Sequence, residues 1–142
     1  MELYQLLTEV FVLLDDADRR VLRQHKLSIT QFNALYHLDA EQGMSINDLT
    51  TRLICDKSNT TRIVERLKKE DLVIRQRDQT DRRYVSVRLT KAGEHLRQEA
   101  VTTHRASVNQ RFNALSSDEQ TTLNQLLARL RDGLRERLNS TT

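Results

Sequence analysis

The run from Ser45 to Thr90, SINDLTTRLICDKSNTTRIVERLKKEDLVIRQRDQTDRRYVSVRLT, constrains the fold more than any other part of the chain. Ile46, Leu49 and Leu53 repeat at helical spacing behind a Ser45 start. Asp56 then stands as the N-cap of a second helix over Lys57–Glu70, with Ile63, Val64 and Leu67 as its inner stripe. Two β-patterned runs follow, Leu72–Arg77 and Tyr84–Leu89. In the second, Val85, Val87 and Leu89 alternate with Tyr84, Ser86 and Arg88. The residues between the runs, Asp78 to Arg83, are too polar for a core. A helix, a tight turn, a hydroxyl-rich helix and a hairpin form the order of a winged helix-turn-helix.

The flanks read as helix. Leu3, Leu6, Leu7, Val10, Leu13, Leu14, Ala17 and Val21 keep the 3/4 repeat and predict a helix over Tyr4–Gln24. Ser28 and Gln31 form a capping box before Phe32, Leu35, Tyr36 and Leu38. Gly43 is expected to end that region in the left-handed conformation. Thr90 should cap a long helix reaching about Phe112. A second capping box, Ser116 to Glu119, opens a last helix striped with Leu123, Leu126, Leu127, Leu130, Leu134 and Leu138. The 142 residues contain no proline and three glycines, so few breaks are forced. The expectation is one mainly α domain over 1–142 with a small β-hairpin wing. Its reading region spans 28–89, and its helical flanks are 1–27 and 90–142.

Charge is distributed unevenly. Between Arg52 and Lys91 stand twelve Lys/Arg against six Asp/Glu, a net of +6 on a chain whose total is +3, so the remainder carries −3. Basic charge gathered on a helix-turn-helix is the electrostatic footprint of a nucleic-acid partner. No apolar run approaches a membrane span, and the first twenty residues read as an amphipathic helix rather than a leader, so a cytoplasmic protein is expected. A glycine-rich phosphate loop, a nucleophile with a placed base and a metal cluster are all missing from the pattern, which argues against an enzyme and against a metal or other cofactor.

A helix N-terminus presents free N–H groups and the positive end of the helix dipole, which suits phosphate. Here that turn carries Lys57, Ser58, Asn59, Thr60 and Thr61, with Arg62 and Arg66 further along. Asn59 suits adenine, Thr61 a thymine methyl, and Arg62 or Arg66 guanine or phosphate. Ser58 and Thr61 equally suit plain capping roles. At the hairpin tip, Arg82 and Arg83 suit a narrow minor groove. Asp81 is placed to hold an arginine in a fork-shaped ion pair and aim it.

Five stretches together resemble the MarR family of bacterial transcription regulators: Leu27–Phe32, Asp56–Leu67, Asp71–Arg75, Asp81–Arg83 and Leu89–Gly93. The resemblance implies that the helix Lys57–Glu70 enters the major groove of double-stranded DNA and that Arg83 reaches the minor groove. It also implies a homodimer interleaved through its helical ends, bound to a pseudo-palindromic operator as a repressor. Release by a small phenolic or aromatic acid is implied too, with Arg19, Arg20, Tyr36 and His37 as its contacts. One departure is Asp71, where many relatives have glycine; aspartate tolerates the left-handed conformation better than most residues. The alternative is a winged helix that docks proteins, which should expose apolar residues on the recognition helix.

Cys55, the single cysteine, reads as a buried, inert thiol packed in the helix-turn-helix. His25, His37, His95 and His104 lack metal-ligand spacing and read as surface or interface residues. Asp15, Asp16 and Asp18 read as a solvated face of the first helix.

Overall fold

The computed structural model describes residues 1–77, 80, 81 and 83–141. Its elements run α1 (Glu2–Arg23), α2 (Ile29–His37), β1 (Met44–Ser45), α3 (Ile46–Leu53), α4 (Lys57–Lys69), β2 (Val73–Arg77), β3 (Val85–Leu89), α5 (Lys91–Arg111) and α6 (Ser117–Ser140). Chain contacts divide it into two compact units, Met1–Arg105 and Ala106–Thr142.

In the first unit, side-chain caps set the starts of α2, α3 and α4. Ser28 accepts from the Gln31 N–H, and the Gln31 side chain returns the bond to the Ser28 N–H, at 3.1 and 3.0 Å. Ser45 accepts from the Asp48 N–H at 3.0 Å. Such caps satisfy backbone donors that a helix start leaves orphaned. The core gathers Leu22 of α1, Phe32 and Leu35 of α2, Leu49 of α3, Val64 and Leu67 of α4, Val73 and Val87 of the sheet and Ala100 of α5. Each fully buried leucine there contributes about 1.5–3 kcal/mol of transfer free energy.

The sheet is antiparallel with order β1-β3-β2. β2 and β3 pair from Val73 opposite Leu89 to Arg77 opposite Val85, which puts Val87 and Leu89 inward. The two-residue strand β1 pairs Met44 with Val87 and Ser45 with Ser86. It is too short to leave a period-2 signal. Gly43 departs from its expected role. Helix α2 ends at His37 with Leu38 in extended conformation, and no described glycine has positive φ. Gly43 is instead a close-approach residue, because a Cβ there would lie 2.6 Å from Ser86 Cβ.

The root of the hairpin is fastened to α5. Asp71 takes the left-handed conformation, φ 57°, after α4. Its carbonyl accepts from the Thr90 hydroxyl at 2.6 Å, and Thr90 Oγ1 in turn accepts from the Gly93 N–H at 3.0 Å. A Cβ on Gly93 would sit 1.9 Å from the Leu72 carbonyl oxygen, so this contact demands glycine.

The apolar stripe of α1 is mostly open. Leu22 alone is buried, while Leu3, Leu6 and Leu13 are 70%, 57% and 69% exposed. In the second unit, α6 starts with the Ser116–Glu119 capping box and buries none of its residues; Leu126, Leu130 and Leu134 all lie exposed.

Candidate nucleic-acid interface

The recognition-helix candidate begins at Asp56, whose carboxylate accepts from the Asn59 N–H at 2.7 Å. Lys57, Ser58, Asn59, Arg62 and Arg66 are exposed, while Thr61 is half-buried and donates to the Lys57 carbonyl at 2.9 Å. Thr60 turns the other way. It is fully buried, and its hydroxyl donates to the Asp56 carbonyl and lies 2.8 Å from Thr50 Oγ1 and 3.2 Å from Cys55 Sγ. Thr60 therefore pins the turn between α3 and α4 from inside.

One face of α4 carries a ladder of side chains. Asn59 Nδ2 donates to Asp56 Oδ2 at 3.2 Å, and Arg62 Nη2 donates to Asn59 Oδ1 at 2.8 Å. Both ends of the Asn59 amide are thus engaged within the helix. Bidentate pairing with adenine uses both ends of an amide, so the adenine contact expected of Asn59 would require this ladder to open. In water that exchange is cheap, because one exposed hydrogen bond replaces another.

On the wing, the Asp81 carboxylate closes a fork on Arg83. Nε donates to Oδ1 and Nη2 to Oδ2, both at 3.1 Å, and the Arg83 N–H also donates to Oδ1. The Arg83 side chain remains 87% exposed, so the fork orients the guanidinium without burying it. Arg82 lies outside the described residues.

Between the start of α2, the α3–α4 turn and α4 runs a groove of about 680 Å³. Leu53, Cys55 and Ile63 give it an apolar side, and Arg62, Arg66 and Lys69 line its cationic side. Cys55 is half-buried on this groove rather than buried as expected, because its sulfur meets the Thr60 hydroxyl at the edge of the core.

The residues assigned to an effector lie on two helices, Arg19 and Arg20 on α1 and Tyr36 and His37 on α2. Arg19 pairs with Asp15 at 2.7 Å and Arg20 with Asp16 at 2.8 Å, both along the outside of α1. Tyr36 and His37 stack edge to face with centroids 5.3 Å apart. Burial, and then the nearby Arg52 charge, hold the His37 imidazole below its ordinary value of 6.5. Asp18 leaves the solvated face assigned to it. His104 Nε2 lies 2.9 Å from Asp18 Oδ1, and the His104 ring stacks on Phe32 at 4.8 Å. Asp18 and His104 are 86 residues apart, so no local pattern announces this joint. Among the described residues, no group of three His, Cys, Asp or Glu is placed to hold a metal ion, and no helix is long and apolar enough to cross a membrane.

Comparison with known proteins meets this geometry at the same residues. The model of the MarR family matches residues 27–85. The HTH-type transcriptional regulator YsmB of Bacillus subtilis is 28% identical over 113 residues, covering 80% of this chain and 77% of YsmB. The transcriptional repressor MprA of Escherichia coli is 28% identical over 113 residues, 78% of this chain and 64% of MprA. The structure of Bordetella bronchiseptica BpsR superposes with a TM-score of 0.81 at 26% identity, over 90% of this chain and 91% of BpsR. The matched residues carry the caps of α2, α3 and α4, the helix α4 and the first strand of the wing, and over residues 27–85 the chain carries a MarR-family winged helix-turn-helix.

Proposed function

We propose that this protein is a sequence-specific regulator that binds double-stranded DNA, with α4 in the major groove and Arg83 in the adjoining minor groove. The observation that carries the reading is the pairing of an exposed, polar first turn on α4 with a fork-held arginine on the hairpin. Lys57, Ser58, Asn59, Thr61, Arg62 and Arg66 supply the helix contacts, and Asp81 aims Arg83. Arg82 belongs to the same wing tip by sequence. A protein-docking winged helix would need apolar residues on the exposed face of α4, and that face carries Lys57, Asn59, Arg62 and Arg66 instead.

The finer reading is a cytoplasmic homodimeric repressor on a pseudo-palindromic operator. The open leucines of α1 and α6 support the dimer, since apolar stripes of that length call for a partner. MprA, a repressor, supports the sign of regulation. Release by a small aromatic acid is supported by BpsR, whose DNA binding is regulated by 6-hydroxynicotinic acid. The groove beside α4, apolar with a cationic side, suits such an anion better than Arg19 and Arg20, whose charges are already paired.

The test is binding across single-base variants of a duplex selected by the native protein, at fixed salt. Arg83→Ala should weaken binding to all variants alike, because a wing arginine reads groove potential rather than base identity. Thr61→Ala and Asn59→Ala should relax preference at one or two base pairs, each by about 1–3 kcal/mol. Native affinity should fall steeply between about 50 and 200 mM salt as counterions are released. Binding indifferent to salt and to sequence would overturn the reading.

A further inference from the structure

Ile54 closes α3 in the left-handed conformation, φ 54° and ψ 45°. For a β-branched residue that is a genuine outlier, because the branched Cβ crowds the following carbonyl. Three described residues other than glycine have positive φ: Lys26, Ile54 and Asp71. Of these, only Ile54 is β-branched. Its side chain recovers nothing by burial, since it is 80% exposed. Leu53 and Cys55, on either side, both line the groove along α4. Glycine or asparagine would fit this turn at lower cost. Backbone strain and an exposed apolar side chain thus coincide two residues before Asp56, the cap of the recognition helix.

We propose that Ile54 is a specificity residue that packs against a thymine methyl at the rim of the major groove when α4 enters it. The inference rests on the DNA-binding reading above. The thymine methyl is the one apolar feature that base edges show in that groove. Isoleucine has no donor or acceptor, so it cannot read the polar pattern of a base or bind a phosphate. Its χ1 is already restricted, so little entropy is lost on contact.

The experiment uses a duplex selected from a random library by the native protein. Each thymine is replaced in turn by uracil, which removes the methyl and leaves the hydrogen-bonding edge intact. At one position in each half-site, uracil should weaken native binding about fourfold, the worth of one buried methyl-sized group. Ile54→Asn, which accepts the left-handed turn, should bind the thymine duplex about fourfold more weakly and be indifferent to uracil at that position. Ile54→Gly, with no side chain, should show the same indifference. The melting temperature of Ile54→Asn should equal or exceed that of the native protein, because strain is relieved.

If the variants lose the same affinity on thymine and uracil duplexes, Ile54 touches sugar or phosphate and the proposal fails. If they bind like the native protein, Ile54 faces a protein partner or solvent and the proposal also fails. Native binding indifferent to every uracil would sink it as well. Failure of the underlying DNA-binding reading looks different: the native protein would then select no duplex at all, and this inference would fall with it.

Discussion

Arg75 on β2 reaches Glu65 on α4, with Nη1 2.5 Å from Oε1, and so ties the wing to α4. Both side chains are partly exposed, so the pair adds less than about 1 kcal/mol to stability. Its effect should appear in DNA binding, where the spacing between helix and wing matters. Glu65→Gln should lower affinity several-fold with almost no change in melting temperature. In that background Arg83→Ala should cost less than it does in the native protein, as a double-mutant cycle would measure. Full additivity of the two losses would show that the ion pair does not position the wing.

Two helical glycines should respond in opposite ways to alanine. At Gly93 the new methyl meets the Leu72 backbone carbonyl at 1.9 Å, and backbone cannot move aside cheaply. Gly93→Ala should destabilise by about 2 kcal/mol or more. At Gly133 nothing lies within 4 Å, so Gly133→Ala should gain about 0.5–1 kcal/mol of helix propensity. Chemical denaturation of both variants measures the contrast.

Thr60 and Cys55 share a contact but not an importance. Thr60→Val keeps the shape and deletes the buried hydroxyl that meets Thr50, Cys55 and the Asp56 carbonyl, so it should cost about 1–3 kcal/mol. Cys55→Ser should change stability less and leave DNA binding unaltered. The chain has no second cysteine to resolve an oxidised one, so peroxide should not release DNA from the native protein. Peroxide release that vanishes in Cys55→Ser would contradict this.

His37 gives the fold an acid sensitivity of defined sign. Its pKa is lowered in the folded chain by burial and then by Arg52, while the unfolded chain titrates near 6.5. The unfolded state therefore binds more protons between those two values. The contribution is complete above about pH 6.5 and is lost as pH falls through the folded value. Arg52→Gln should raise the His37 midpoint followed by proton NMR. An unchanged or lowered midpoint would remove Arg52 from the account.

Leu130 stands in the middle of the exposed stripe of α6. Leu130→Glu should convert the protein from dimer to monomer in sedimentation, with α6 still helical. Affinity for a duplex carrying two half-sites should then fall about 100-fold or more, because bivalent attachment is gone. A native protein that sediments as a monomer at micromolar concentration would refute the dimer directly.

What the sequence disclosed was local. The Ser28, Ser45, Asp56 and Ser116 caps are legible because cap and partner lie three residues apart. The Asp56–Asn59–Arg62 ladder has the same spacing and could have been read from it. The Asp81 fork on Arg83 spans two residues and was legible as well. Misreadings arose where the deciding partner is remote. Gly43 suits a helix end by composition, yet its constraint is Ser86, across the sheet. Asp18 looks like one of three solvated carboxylates until the fold brings His104 to it. Ile54 passes unremarked because a hydrophobic residue beside Leu53 looks like core, and only its backbone angle and exposure separate it.

The joint between Thr90 and the turn after α4 makes the wing an adjustable part. Asp71, Leu72, Thr90 and Gly93 lock the two ends of the hairpin together at its base. The loop that joins β2 to β3 can therefore be lengthened, shortened or recoded without disturbing the helix beside it. A foreign hairpin loop grafted between Arg77 and Tyr84 should therefore fold on this base and, under the proposed DNA-binding function, change the reach of the wing.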